Sequence, residues 1–352
     1  MSDERLDPSR RRVLKAGGLA TAGGLALYLL QDGRIRGRVA ERGKGVAEVL
    51  RAVPGFGYGG RSVELGAVVG RTDVLTAEKD EPGYWRGAPA MAYDGGADRI
   101  LTHVRHRDPD DRGKRVSIHR IAPETLEATE LVSLDKRDLG ARSVEGGELV
   151  VEDGEYRWFI SYQHPRTGNW RIQERRASTV EGLQSGGADL DVASAYAHTK
   201  DPAIVNGEFH VISTTRNWLH SRIERVDVDR ARPTTRAVDL RGVENARLTS
   251  GGLVGNEVFV DAWPNFPGTD ISNFLWTTDE RSATGELTAG GVRVDTPERF
   301  VSASGTSVTY VDGLLVDGTV YLLWQEERRD GSNDLVGTRL PRGDYERLVG
   351  VS

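Results

Sequence analysis

Residues 145–162 read EGGELVVEDGEYRWFISY, and the pattern of that stretch decides the fold. Two apolar and β-branched runs, Leu149-Val150-Val151 and Tyr156-Arg157-Trp158-Phe159-Ile160, flank Asp153-Gly154. An Asp-Gly pair favours a turn in which both central residues take positive φ, and such a turn joins two antiparallel strands. The stretch therefore reads as a β-hairpin. Four others repeat it: residues 87–95, residues 200–213 around Asn206-Gly207, residues 250–261 around Gly255-Asn256, and residues 310–324 around Asp317-Gly318.

With Ala88, Gly146, Asp201, Gly251 and Gly313 as equivalent points, the hairpins recur roughly every 50–60 residues. A hairpin uses about twenty of these, which leaves room for two more strands per period, such as residues 116–121 and 170–174. Four strands per period make a propeller blade. Helical periodicity is nearly absent beyond residue 30. The expected fold is all-β: a five-bladed β-propeller over residues 57–352, preceded by an N-terminal signal or anchor helix. A strand within residues 62–74 is expected to close the ring against the C-terminal blade. The same strands could also form a two-domain β-sandwich.

The N-terminus carries a different signal. Ser9-Arg10-Arg11-Arg12-Val13-Leu14-Lys15 resembles the twin-arginine export consensus, with Val13 where phenylalanine is preferred. Residues 16–30 are uncharged and rich in Gly, Ala and Leu. As a helix they span roughly 22 Å, short of the ~30 Å hydrocarbon core, which favours a signal over a membrane span. Residues 1–30 thus read as a twin-arginine signal or an uncleaved anchor, and residues 31–56 as a basic linker carrying Arg34, Arg36, Arg38, Arg42 and Lys44. The expected partner is the twin-arginine export machinery. The expected location is extracellular or at the outer face of the cytoplasmic membrane, with membrane contact only through the N-terminal segment.

Composition removes several function classes. The chain has no cysteine, so disulfides, thiolate metal sites and thiol nucleophiles are excluded. A formal net charge of −6 is no nucleic-acid footprint. There is no G-x-S-x-G elbow or Walker loop. His103, His106, His119, His164, His198, His210 and His220 show no HExxH or facial-triad spacing. No metal or other cofactor is expected, apart from room for one structural calcium in a propeller channel.

Glu145-Gly146-Gly147 and Lys200-Asp201-Pro202, each opening an innermost strand, resemble motifs of the five-bladed propeller glycosidases. These are the arabinanase, levansucrase and invertase group, including glycoside hydrolase family 43. The resemblance covers roughly residues 80–330 and implies three carboxylates converging on a central funnel. Glycosidic cleavage needs one protonated carboxyl to serve the leaving oxygen and one ionised carboxylate to attack or to activate water. By resemblance Glu145 is the acid and Asp201 the aspartate that tunes it. Blade one reads Gly87-Ala88-Pro89, so the first aspartate of the family is missing there, and the Glu precedes the Asp, the reverse of the usual order. Asp261 is the expected third carboxylate. Asp94 is explained by a turn, and Glu326 and Glu327 by a solvated strand end.

On the substrate side, Trp85, Trp218 and Trp263 are the rings expected to be exposed for stacking on sugar faces. Arg105 and Arg107, which follow the strand at residues 100–104, and Lys200 are the expected polar contacts. The functional expectation is an exported, glycoside-hydrolase-like propeller that binds or hydrolyses carbohydrate at the cell envelope. The alternative is a non-catalytic propeller that binds carbohydrate or protein.

Overall fold

The structure is a computed structural model that describes residues 62–65, 70–111, 113–214, 221–228, 233–241, 245–263, 281–289, 291–294, 299–302 and 308–349. The leader and linker readings lie outside the described residues. Short strands β1 (Ser62–Leu65) and β2 (Thr72–Leu75) precede the first blade. Blade 1 is β3 (Trp85–Asp94), β4 (Arg99–Arg107), β5 (Arg115–Ile121) and β6 (Ala128–Asp135). Blade 2 is β7 (Val144–Glu152), β8 (Glu155–Gln163), β9 (Trp170–Ala177) and β10 (Ala188–Leu190). Blade 3 is β11 (His198–Val205), β12 (Glu208–Thr214), β13 (Ser221–Asp227) and β14 (Thr234–Ala237). After β15 (Asp239–Arg241), blade 4 comprises β16 (Asn245–Gly251), β17 (Glu257–Trp263), β18 (Arg281–Thr288), β19 (Gly291–Arg293) and β20 (Arg299–Ser302). Blade 5 is β21 (Val308–Val316), β22 (Thr319–Glu327) and β23 (Asn333–Pro341), followed by helix α1 (Arg342–Val349).

The hairpin turns form as their sequences dictate. Asp153-Gly154, Asn206-Gly207 and Asp317-Gly318 all have positive φ at both positions, between 47° and 78°.

Five apolar clusters lie between successive blades, which is why the strands read as apolar runs rather than as strict alternation. On β8, Trp158 and Ile160 pack with Leu101, Ile118 and Val132 of blade 1. Phe159, between them, faces the other way onto Phe209 and Val211 of blade 3. Ala203, Val205 and Ile223 meet Leu248, Val258 and Val260 across blades 3 and 4. Phe259 and Phe300 meet Leu322, Trp324 and Tyr345 across blades 4 and 5. The fifth cluster joins Tyr321, Leu323 and Leu335 of blade 5 to Ile100 and Val104 of blade 1. Each inner strand touches the next, β3 to β7 to β11 to β16 to β21, and β21 returns to β3. The ring is closed.

Its latch is β2, which pairs antiparallel with the outer edge of β23. Blade 5 thereby gains a fourth strand from the N-terminal side, and a free sheet edge is covered. Val74 enters the fifth cluster, Ala77 N donates to Asp334 Oδ1 at 2.8 Å, and Thr338 Oγ1 donates to Gly70 O at 2.8 Å. The expected closing strand within residues 62–74 is therefore split. Its end closes blade 5, whereas β1 pairs parallel with β20 in blade 4.

Candidate functional site

The inner strands do not run straight. β3, β7, β11 and β21 each break register against their hairpin partner: between Gly87 and Ala90, Val144 and Gly147, Lys200 and Ala203, and Thr309 and Asp312. A bulge inserts a residue and re-aims its side chain. The first bulge residue on these four strands is Ala88, Glu145, Asp201 and Tyr310. Ala88, Asp201 and Tyr310 have left-handed backbones, with φ of 52°, 47° and 55°. On β16 a shorter bulge falls between Leu248 and Ser250, at Thr249. The equivalent points on blades 2, 4 and 5 are therefore Glu145, Thr249 and Tyr310, not the expected Gly146, Gly251 and Gly313. Sequence spacing did not register the inserted residues.

Of these, Ala88, Asp201, Thr249 and Tyr310 line a small opening together with Pro89, Gly146, Gly147 and Arg247. Gly146 suits this place, because a Cβ there would crowd Asp201 Oδ1 at 3.1 Å. Beneath the opening is a buried ionic network. Lys200 Nζ lies 2.6 Å from Glu145 Oε2 and 3.3 Å from Asp201 Oδ2. Arg247 donates from Nη1 to Asp201 Oδ2 at 2.9 Å, and from Nε and Nη2 to Asp261 Oδ2 at 3.1 and 3.0 Å. Asp261 also accepts from Tyr310 N at 3.0 Å.

The three carboxylates expected from sequence, Glu145, Asp201 and Asp261, thus converge. Asp261 is fully buried and braces Arg247 and the Tyr310 backbone. Burial opposes ionisation of Asp201, but Lys200 and Arg247 outweigh it and hold the carboxyl below its ordinary value. Its backbone N–H is fixed by Ser161 Oγ at 2.9 Å, whereas its Oδ1 is buried without a hydrogen-bond partner.

Arg105 and Arg107 belong to β4 itself rather than to a loop after it, because β4 runs through to Arg107. Trp85 is half-buried beneath them, with the Arg107 guanidinium 4.0 Å and the Arg105 guanidinium 5.4 Å from its ring. Trp218 lies outside the described residues. Trp263 is described only as the end of β17, opposite Asn245. Glu326, expected at a solvated strand end, is buried and accepts from Arg71 Nε at 3.0 Å and Trp324 Nε1 at 3.1 Å. Asp94 is the last residue of β3, where it accepts from Ala97 N at 3.1 Å and Arg99 Nε at 2.8 Å.

The sequence reading missed two central residues, Arg247 and Tyr310. The Arg247 guanidinium lies 3.7 Å from the Tyr310 ring centroid. Tyr310 could have been found by placing the fifth repeat on its bulge. Arg247 carried no motif.

Among the described residues, His106, His119 and Glu130 bring their ligand atoms within 4.8 Å of one another, close enough to share a metal. Those atoms are already engaged. Ser117 Oγ lies 2.6 Å from His106 Nε2 and 2.8 Å from His119 Nε2, and Arg115 Nη1 holds Glu130 at 3.0 Å. Arg115 Nη2 approaches His106 Nδ1 at 3.5 Å. We assign that nitrogen as the acceptor, which makes His106 Nε2 a donor to Ser117 and leaves it no lone pair for a metal.

With this geometry in place, the comparisons decide the fold. No family model matches the chain, and no curated protein does. Solved structures do. The GH43_1 enzyme from Xanthomonas citri, complexed with xylose, superposes with a TM-score of 0.53 at 13% identity, over 76% of this chain and 91% of that one. The fold is GH43-like. CoXyl43, a GH43 β-xylosidase/α-arabinofuranosidase from a compost microbial metagenome, in complex with xylotriose, gives a TM-score of 0.52 at 11% identity, over 76% and 94%. A glycosyl hydrolase from Bacteroides ovatus gives 0.51 at 11% identity, over 83% and 96%. At such identities the likeness is one of fold, and activity rests on the site.

Proposed function

We propose that this chain is a carbohydrate-active propeller that binds a sugar at the mouth of its central funnel. The observation that carries the reading is Asp201. One of its oxygens is held by Lys200 and Arg247, and the other, Oδ1, is buried in the wall of the opening without a partner. An ionised carboxylate oxygen left unsatisfied is costly, and a sugar hydroxyl supplies the missing donor. The likeness to GH43 structures that contain xylose and xylotriose supports the same ligand class.

Hydrolysis is the second reading, favoured by the approach of Glu145 and Asp201 to one ammonium. In it, the glycosidic bond breaks as one carboxylate takes the proton of the attacking water and the other gives one to the leaving oxygen, but two carboxylates joined by one ammonium stand closer than the ~6.5–9.5 Å that leaves room for that water. Binding is the stronger reading. Ala88 gives blade 1 no carboxylate at its bulge, and Glu145 is buried against the Lys200 ammonium at 2.6 Å, behind the residues that line the opening.

The resemblance of residues 9–15 to the twin-arginine consensus supports a location outside the cytoplasm: in this reading the propeller leaves the cell folded and works at the envelope, either released or tethered through residues 1–30. Replacing Arg10 and Arg11 by Lys is expected to retain the protein in the cytoplasm.

The functional test is titration of the full chain with xylose, arabinose, galactose and their oligosaccharides, with product analysis of the same mixtures. Saturable binding without products supports the binding reading, and products lost in Glu145→Gln and Asp201→Asn support hydrolysis. No binding to any of them refutes both.

A further inference from the structure

Ala88, Glu145, Asp201 and Tyr310 hold the same bulge position on four blades, and Ala88 alone brings no functional group to it. The cations around the funnel are unequal in the same place. Lys200 spans Glu145 and Asp201, and Arg247 spans Asp201 and Asp261. The third cation, Arg105, pairs in register with Gly87, the residue before Ala88, and holds no carboxylate. It is 4% exposed. Its Nε and Nη2 are buried with no hydrogen-bond acceptor. Its guanidinium stands 5.4 Å from the ring centroids of both Trp85 and Tyr310. Glu145 and Asp201 act on it electrostatically without satisfying those two donors.

A buried guanidinium with unfilled donors is an expensive arrangement, and its planar fork matches a carboxylate in two parallel hydrogen bonds. Two aromatic rings beside it favour a flat partner. We propose that the sugar taken by this funnel is a uronic acid, whose carboxylate fills the place that Ala88 leaves empty on blade 1 and is read by Arg105. The inference rests on the carbohydrate reading and names its substrate class. Tyr310, half-buried and lining the opening, covers Arg105 and Arg247 alike, so its ring is what the incoming sugar displaces.

The test is calorimetric titration of the full chain with D-galacturonate and D-glucuronate against D-galactose and D-glucose. A uronate is expected to bind roughly tenfold or more tighter than its neutral parent, the worth of a charge-assisted pair. Arg105→Gln is expected to erase that preference. Because its fold could suffer, Ala88→Asp provides a second variant with Arg105 in place. It supplies the carboxylate from within, at a position where Asp201 shows that aspartate accepts the left-handed backbone, and the preference is again expected to vanish. Equal binding of uronate and neutral sugar by the wild-type chain overturns the inference and leaves the carbohydrate reading standing. So does a preference that survives both variants, or tighter binding of galactose 6-phosphate than of either uronate. If no sugar binds at all, the carbohydrate reading fails and the inference fails with it.

Discussion

Lys200 Nζ stands 2.6 Å from Glu145 Oε2 and 3.3 Å from Asp201 Oδ2, so one ammonium joins the bulge carboxylates of two adjacent blades. All three side chains are buried. Removing one partner from such a group leaves buried charge less well offset, which is where most of the penalty arises.

Lys200→Met is therefore expected to lower stability by about 3–5 kcal/mol. Adding Glu145→Gln to that variant is expected to recover part of the loss, because one stranded charge is removed. Chemical denaturation measures both. A Lys200→Met chain as stable as wild type would show that the carboxylates do not depend on the lysine.

Ring closure is a separate requirement. Val74 is the buried residue of the closing strand in the cluster between blades 5 and 1, with Leu75 packed against it. Val74→Asp buries an unpaired carboxylate in that cluster, and a loss of about 3 kcal/mol or more is expected. Val63→Asp, in the strand paired with blade 4, leaves the blade 5 latch intact. Hydrogen exchange distinguishes the two: the Val74 variant is expected to lose protection along β23. Unchanged protection there would contradict the assignment of β2 as the latch.

Two glycines separate backbone cost from crowding. Gly154 has φ of 78° and open space where a Cβ would stand, so Gly154→Ala is expected to cost only about 1–2 kcal/mol, the price of a left-handed alanine. A Cβ on Gly147 would come within 2.6 Å of Phe159 O and 2.9 Å of His103 Cε1. Gly147→Ala is expected to cost more, and to displace the strand that carries Glu145. Melting temperatures rank the two, and the reverse order would refute the close approach of β7 to β8 and His103.

Stability is expected to peak near neutral pH. Burial depresses His103 to about 3, His106 well below its ordinary value and His119 to about 4. Their contribution is complete above about pH 6.5, where the unfolded imidazoles are neutral, and is lost as pH falls towards 4. Burial raises Glu148 to about 8, helped by the nearby Asp312, and raises Asp312 itself to about 7. Carboxyls raised in this way stabilise the fold at low pH, and the benefit fades as pH climbs through their folded values. Thermal unfolding from pH 4 to 9 is expected to trace a dome that declines above pH 7. A melting temperature still rising at pH 9 would contradict the buried, protonated state of this pair.

Much of the fold was legible because local chemistry and tertiary structure agree. Asp153-Gly154, Asn206-Gly207 and Asp317-Gly318 demand positive φ and have it. Trp158-Phe159-Ile160 is apolar throughout because its residues serve two interblade clusters. Glu145, Lys200 and Asp201, singled out through short motifs, do meet in one buried ion group. The rest of the site was not legible, because a bulge is one extra residue with no composition of its own: Tyr310 and Thr249 reach the funnel only through register shifts. Arg247 is one arginine in a chain with 28% charged residues, and only its meeting with Asp201 and Asp261 gives it meaning.

The most direct test of the account is calorimetric titration of sugars into the full chain and into Asp201→Asn. Asparagine keeps an oxygen for Lys200 and Arg247 and turns an amide donor towards the opening in place of Oδ1. Saturable binding by the wild-type chain is expected, with an affinity at least roughly tenfold weaker in the variant, the loss of one charge-assisted hydrogen bond. A folded variant that binds as tightly as wild type would contradict it.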